Sequence, residues 1–438
     1  MKLPQHIATC INRLEDAGFS AYCVGGCVRD WVSGRQPHDY DICTSATPAQ
    51  LRTLFANYPL VLAGEKHGTV AVVMAHELVE ITTYRTEGDY QDSRHPGWVH
   101  FETEIEADLS RRDFTVNAMA WSPKRGFADP FGGRKDLETG ILRCVGNPEA
   151  RFTEDALRIL RGVRFAVRFG LQVDSATENA MHSLRHLMDG LARERVMDEL
   201  MKLLPFVTAA DLLRFAPILE QIIPELSPCI GFQQRNPHHL YDVYTHTAHT
   251  VAACPADPAL RLAALLHDIG KPACFVTDDN GIGHFYGHDE LSAQMANSIL
   301  HRLKASNELR HRITQVIGCH MTPLSPNKRS LRRRMAKLGT EGVRDLLALQ
   351  RADRIGTGTG DVSVFDPVEA LIQELLAENA CFSLKDLAVN GHDLMELGFS
   401  GKAIGNCLSS LLELVLDERI PNETAALLRE AERYSKIP

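Results

Sequence analysis

The sequence lacks any apolar run of about 18 residues, which excludes a membrane-spanning helix. Its start, MKLPQHIATCINRLEDAGF, carries acids where a secretory signal would be apolar, so no signal peptide is expected. A cationic coat is also missing. Against 47 Lys and Arg stand 56 Asp and Glu, a net charge of −9, so any nucleic acid must be met by local basic surfaces. The 11 cysteines, scattered from Cys10 to Cys407, form no CxxC pair and no framework spacing. They read as reduced thiols that act as small core residues, which predicts a cytoplasmic protein. No fixed-period repeat or low-complexity tract occurs. Apolar residues at 44% and charged residues at 24% exclude wholesale disorder, and 438 residues suffice for about three domains.

What is present divides into a mixed and a helical part. Over residues 1–145, SAYCVGG, HDYDICT, GTVAVVMA and ELVEITTYR read as strands, and Thr47-Pro48 caps and opens a helix over AQLRTLFANY. The polar stretch 85–101, with Arg85, Asp92, Arg94 and Pro96, reads as a mobile loop. From about residue 150 the pattern is almost entirely helical. These signals predict an α+β protein: a small mixed α/β head followed by a largely α-helical body. The expected divisions are a head at 1–145, a helical neck at 146–230, a histidine-rich block at 231–355 and a helical tail at 356–438.

The sharpest feature is GGCVRDWVSGRQPHDYDI, residues 25–42. At Gly25 and Gly26 the missing β-carbons let backbone amides approach an anion, and Arg29 offers a planar fork to phosphate. Asp39 and Asp41 flank Tyr40. On a strand, period two puts both carboxylates on one face, where a divalent metal such as Mg²⁺ would relieve their repulsion and bridge a triphosphate. Glu80 could add a third carboxylate. A bare DxD is more often a solvated turn; the glycines and arginine upstream argue against that reading here.

Further along, Asp155, Arg158, Arg161 and Arg164 recur every three residues, which predicts one face of one helix. An acceptor beside a donor fork matches the edges of cytosine and adenine, which both offer an amino donor and a ring-nitrogen acceptor. Arg161 and Arg164 would face phosphate or buttress that pair. The plainer alternative is that Thr153 caps the helix while Glu154 and Asp155 complement its positive end.

This constellation resembles the nucleotidyltransferases of the polymerase-beta superfamily, and specifically the bacterial class II tRNA CCA-adding enzymes with their poly(A) polymerase relatives. DLSRRDFTVNAMA (108–120), ADPFGGRKDLETGILRCVG (128–146), RFTEDALRILRGVRFAVRFG (151–170) and LARERVMDELMKLL (191–204) follow in that family's order. The resemblance implies that Asp39 and Asp41 hold two Mg²⁺ ions and that Arg112 contacts the triphosphate. It also implies that Asp155 and Arg158 read the incoming base without a template. The tRNA 3′-hydroxyl would then attack CTP and afterwards ATP, releasing pyrophosphate. A full-length loop at 85–101 implies addition of both C and A. The alternatives are a poly(A) polymerase or A-adding relative, or, from other classes, a phosphohydrolase with a degenerate head or a non-catalytic RNA-binding module.

Residues 239–355 carry His246, His267-Asp268, His288, His320 and Asp353 in the order of the HD-domain metal phosphohydrolases, which they resemble. The resemblance implies a core ligand set of His246, His267, Asp268 and Asp353, with His288 and His320 holding a second divalent metal (Ni, Mn or Mg). Lys271 is a candidate phosphate contact, and 2′,3′-cyclic or 2′-phosphate ends are the implied substrates. For tRNA, the expected contacts are the neck arginines and the basic run NKRSLRRRMAK (327–337), unless that run is simply a solvated face. Gly391, Gly398, Gly401 and Gly405 either allow close backbone approach in the tail or join helices. The sequence carries no signal of oligomeric state.

Overall fold

The computed structural model describes residues 1–88, 98–237, 239–358, 360–378 and 380–435. Two compact units divide the chain. One comprises Met1–Phe206 with Phe215–Pro224, the other Val207–Arg214 with Glu225–Pro438.

In the first unit, α1 (Gln5–Asp16) precedes β1 (Ala21–Val24), α2 (Gly26–Val32) and β2 (Asp41–Thr44). Then come α3 (Pro48–Leu54), β3 (Leu60–Val61), β4 (Thr69–Met74) and β5 (Glu77–Thr83). As its sequence predicts, α3 opens on a capping box in which Thr47 and Gln50 satisfy each other's backbone amides. The ends of the stretch expected to be a loop pair instead as β6 (Arg85–Gly88) and β7 (Trp98–Phe101), an antiparallel ribbon favoured by Trp, Val and Phe. Asp92, Arg94 and Pro96 lie outside the described residues. After α4 (Ile105–Ser110), β8 (Ala120–Ser122) and β9 (Gly126–Ala128) complete a seven-stranded sheet of order β3-β4-β5-β2-β1-β8-β9. The β2–β5 pair is parallel, and the other neighbours run antiparallel. Alternation splits the sheet between two cores. Cys23, Ile42, Val70, Val72 and Ile81 face α1 residues such as Ile11 and Leu14, while Val24, Cys43, Ala118 and Ala120 face Ile105 and Leu109 of α4.

The rest of that unit is helical: α5 (Gly133–Glu138), α6 (Pro148–Glu154), α7 (Leu157–Phe169), α8 (Ser175–Ser183) and α9 (Arg193–Leu203), with a short parallel bridge of β10 (Ile141–Leu142) to β11 (Gln172–Val173). The expected single helix over 151–170 is therefore two. Asp155 interrupts it with φ −147° and ψ 101°, and its carboxylate accepts from the amide of Leu157, the first residue of α7, at 3.0 Å. Thr153 caps nothing; its hydroxyl donates back to Glu149 O within α6.

α10 (Ala209–Arg214) belongs to the second unit, since Tyr244 Oη donates to Leu212 O and Arg261 to Val207 O. α11 (Ala216–Ile222) belongs to the first. The second unit continues with α12 (Val243–Ala253), α13 (Pro258–Leu266), a small hairpin of β12 (Val276–Thr277) and β13 (Gly283–His284), α14 (His288–Arg302) and α15 (Asn307–Ile317). It ends with α16 (Lys328–Gly356), α17 (Asp366–Ala377), α18 (Gly391–Glu396), α19 (Lys402–Leu416) and α20 (Thr424–Ser435). Asp242 and Asp257 cap α12 and α13 through their side chains, which fixes where α12, with His246, and α13, which leads into His267, begin.

Four of the six cations in the basic run at the start of α16 are paired with acids. Lys328 pairs with Glu374 and Glu378, Arg329 and Arg333 share Asp417, and Arg332 meets Glu418. These acids lie in or beside α17 and α19, so the run ties the tail to α16. In the tail, Gly398 and Gly401 take positive φ where α18 gives way to α19, so they join helices. No helix among the described residues is long and apolar enough to cross a membrane.

Candidate active site and candidate metal centre

The first site is built where β1 ends. The chain turns at Gly25 with φ 71° and ψ −127°, a conformation that favours glycine. A β-carbon there would stand 2.7 Å from Arg112 Nη1. The glycine therefore leaves room for that guanidinium, which bonds Asp108 at 3.2 Å and reaches Cys43 Sγ at 3.6 Å. Gly25→Ala is expected to cost about 1–2 kcal/mol in stability and to raise the nucleotide KM several-fold by displacing Arg112. Thermal melts and saturation kinetics measure both.

Alternation in β2 buries Ile42 and turns Asp41 to the other side; Asp39 and Tyr40 precede the strand, Asp39 exposed and Tyr40 packed toward the core. The parallel register Ile42↔Ile81 sets Glu80, also exposed, beside Asp41 on the same face. Desolvation at the cleft wall raises the Asp41 pKa; Arg112 opposes this and Asp39 adds to it. Of the three carboxylates only Asp41 lines the cleft, where its oxygens suit a hard divalent cation such as Mg²⁺.

Gly25, Gly26, Arg29, Asp41 and Arg112 line one cleft of about 380 Å³ with Asp155, Arg158 and Arg161. Arg29 sits in its floor with its fork already engaged: two nitrogens bond Asp30, one bonds Asn117 at 2.7 Å, and the plane lies over Phe169 at 4.2 Å. Arg158 is held by Glu154 at 2.7 Å and by the carbonyls of Arg151 and Arg111. Arg161 pairs with Asp113 at 2.6 Å. Arg164 does not line the cleft; it is buried and bonds Glu199 at 2.6 Å. Sequence reasoning missed Arg195 of α9, which bonds Asp155 at 2.8 Å, along with Arg111, Asp113 and Asn117. All four stand inside motifs whose order was recognised, but their roles depend on partners up to 88 residues away.

Asp113 is 7% exposed. Burial alone would push its carboxyl up, but Arg161 and the hydrogen bonds from Arg161 and Asn117 bring it from 3.8 down to about 2. A depressed acid stabilises the fold fully above its ordinary pKa, and that contribution fades as the pH falls through about 2. Asp113→Asn is therefore expected to lose about 2 kcal/mol at neutral pH. In urea titrations the gap to the wild type should close toward pH 2. A gap independent of pH would contradict the ion-pair account.

The second site lies in the other unit. His246 of α12, the adjacent His267 and Asp268 after α13, and Asp353 of α16 bring four ligand atoms together, and Asp268 joins a second group with His288 and His320. His246 Nε2 lies 3.2 Å from Asp268 and 2.9 Å from Asp353; His288 and His320 lie 3.2 and 3.7 Å from the other Asp268 oxygen. His267, His288 and His320 each turn Nδ1 to a backbone carbonyl at 2.7 Å, which fixes the ring and aims Nε2 inward. All four Nε2 atoms and Asp268 Oδ2 are buried without a well-formed hydrogen bond. Such orphaned lone pairs around a shared carboxylate fit a pair of divalent metal ions. Burial opposes the Asp268 charge, yet His267 and Lys271 hold the acid well below the usual carboxylate range. Lys271 Nζ lies 2.7 Å from it and donates to Gln234 at 2.9 Å. A cavity of about 750 Å³ opens onto Asp268, Lys271, His288, His320 and Asp353.

The head's sheet, with its edge of carboxylates against an arginine-lined helical wall, defines the nucleotidyltransferase class. Residues 21–143 match the Poly A polymerase head domain, 170–230 the probable RNA and SrmB-binding site of polymerase A, and 284–431 the putative tRNA nucleotidyltransferase domain 2. The CCA-adding enzyme of Lactiplantibacillus plantarum is 32% identical over 429 residues, 95% of this chain and 93% of that protein. That of Bacillus velezensis is 32% identical over 414 residues, covering 94% and 93%. The crystal structure of the Bacillus stearothermophilus CCA-adding enzyme in complex with CTP superposes with a TM-score of 0.72 at 27% identity, over 100% of this chain and 98% of the other. The chain belongs to the CCA-adding enzyme family.

Proposed function

We propose that this protein adds C and A to the 3′ end of tRNA from CTP and ATP with release of pyrophosphate. The observation that carries this reading is the cleft that joins Asp41 and Arg112 to Asp155 and Arg158. The tRNA 3′-hydroxyl oxygen bonds to the α-phosphorus as the bond to the leaving pyrophosphate breaks. Asp39, Asp41 and Glu80 would hold Mg²⁺, which when bound neutralises phosphate charge and acidifies the hydroxyl. Arg112 meets the triphosphate. Asp155 keeps lone pairs beyond those used by Leu157 and Arg195, so it can accept from an exocyclic amine while Arg158 donates to the neighbouring ring nitrogen. Uracil and guanine present the reverse pattern on those edges and are rejected. Purified protein given tRNA that lacks its terminus, with each NTP in turn, should incorporate only C and A. Incorporation of A alone would identify an A-adding enzyme, and equal use of UTP or GTP would remove the base-reading role.

We further infer that the second unit is an HD-type centre holding two divalent ions (Ni, Mn or Mg) that share Asp268, and that it hydrolyses phosphoesters. Support comes from the orphaned Nε2 atoms converging beside a 750 Å³ cavity. When bound, the metals would activate water toward phosphorus. Lys271 stands ready for a phosphate oxygen. Phosphate release from 2′,3′-cyclic or 2′-phosphate ends should require added metal. No release with any of the three metals would favour a purely structural unit.

A further inference from the structure

The cavity over the second centre has an aromatic rim that neither nucleotide addition nor metal binding uses. Tyr286 lines it and is 74% exposed, the most exposed large hydrophobic side chain among the described residues. Its ring stacks on that of His284, with centroids 5.4 Å apart and planes only 8° from parallel. His284 is anchored in turn, at the end of β13 and 3.1 Å from Asp278. Between them Phe285 turns the other way, against Phe232 and Phe275, and its carbonyl receives the Nδ1 of the candidate ligand His288. One short segment thus holds a metal-directed imidazole and, two residues earlier, an open aromatic face. A tyrosine ring stacked on one side and 74% exposed keeps its other face open to solvent. Its free face is suited to a flat, polarisable ring. Cationic groups complete the pocket: Lys271 lies deep beside Asp268, and Arg354 lines the wall next to Asp353. A phosphate at the metals with a planar ring at the rim of the same cavity is the outline of a nucleotide.

We propose that Tyr286, backed by His284, is the base platform of this centre, so that it holds the base of a nucleoside phosphoester by stacking and binds a simple alkyl phosphate more weakly. This rests on the metal-centre reading above and deepens it. Stacking has no preference for a particular base, so the platform serves guanine and uracil as well as adenine and cytosine.

That breadth separates the platform from the head, whose substrates are CTP and ATP. The test uses the full chain loaded with Mn²⁺ and two probes, guanosine 2′-monophosphate and glycerol 2-phosphate. Binding is followed by calorimetry and by tyrosine fluorescence, and hydrolysis by phosphate release. The nucleotide should bind at least tenfold more tightly than glycerol phosphate. Tyr286→Ala should erase that difference while glycerol phosphate binding and turnover stay unchanged, and Tyr286→Trp should restore it. Equal affinity for the two probes in the wild type, or a loss in Tyr286→Ala shared by glycerol phosphate, overturns the platform and leaves the hydrolytic centre standing. Absence of metal-dependent binding and turnover with both probes overturns the two together.

Discussion

Replacing Asp41 with alanine is expected to reduce nucleotide incorporation by at least ~1,000-fold while the protein stays folded. The carboxylate is exposed at the first position of β2, its side chain opens onto the cleft, and the strand's hold on the core comes from Ile42 and Cys43. Removing it deletes no core contact and relieves repulsion from Asp39, so the melting temperature should move by about 1 °C or less. The loss is confined to the chemistry, because a metal that bridges protein and triphosphate needs both carboxylates. Asp39→Ala should behave alike, and Glu80→Ala should be milder, since Glu80 is the third donor and lies on the neighbouring strand. Quench-flow incorporation assays beside filter binding of tRNA read the two effects apart. Turnover retained in Asp41→Ala would take the residue out of the metal site.

Asp268→Ala should have the largest effect in the second unit, because Asp268 is the residue common to both ligand groups. Its loss should empty both metal positions, where loss of His320 should empty one. The stability cost is also large. Asp268 is 1% exposed and is the counter-charge of the buried Lys271, so alanine leaves an ammonium with only Gln234, at a cost of about 3–5 kcal/mol. Asp268→Asn keeps the volume and a hydrogen-bond acceptor, and it separates folding from metal binding. Elemental analysis after dialysis should find about two metals per wild-type chain and none in Asp268→Asn. A metal present at 100 times its Kd should add about 2.7 kcal/mol to wild-type stability and nothing to the variant. Equal metal content in the two proteins would refute the shared-carboxylate centre.

Much of both sites was legible because local rules set it. The Thr47-Pro48 pair announced α3, and alternation turned Asp41 away from the Ile42 core, whereas Asp39 precedes the strand and escapes that rule. The break at Asp155 was not legible. Residues 151–169 have unbroken helical periodicity, but the competing bonds come from the Leu157 amide and from Arg195, 40 residues on. Nor was the fate of the basic run. Six cations in eleven residues read as an RNA surface, yet Glu374, Glu378, Asp417 and Glu418 answer four of them from 46 to 88 residues further along.

Local spacing in the sequence set out the candidate groups: two aspartates flanking Tyr40, paired glycines after a strand, and a histidine and aspartate order that suits metal. Tertiary structure alone decided what each arginine meets. Arg29, Arg112, Arg158 and Arg161 line the cleft while paired with Asp30, Asp108, Glu154 and Asp113, Arg164 is buried on Glu199, and Tyr286 is left bare at the rim of a cavity. The reason is range: backbone periodicity is fixed by neighbours a few residues apart, whereas a guanidinium takes whichever carboxylate the fold brings within 3 Å, at any separation along the chain.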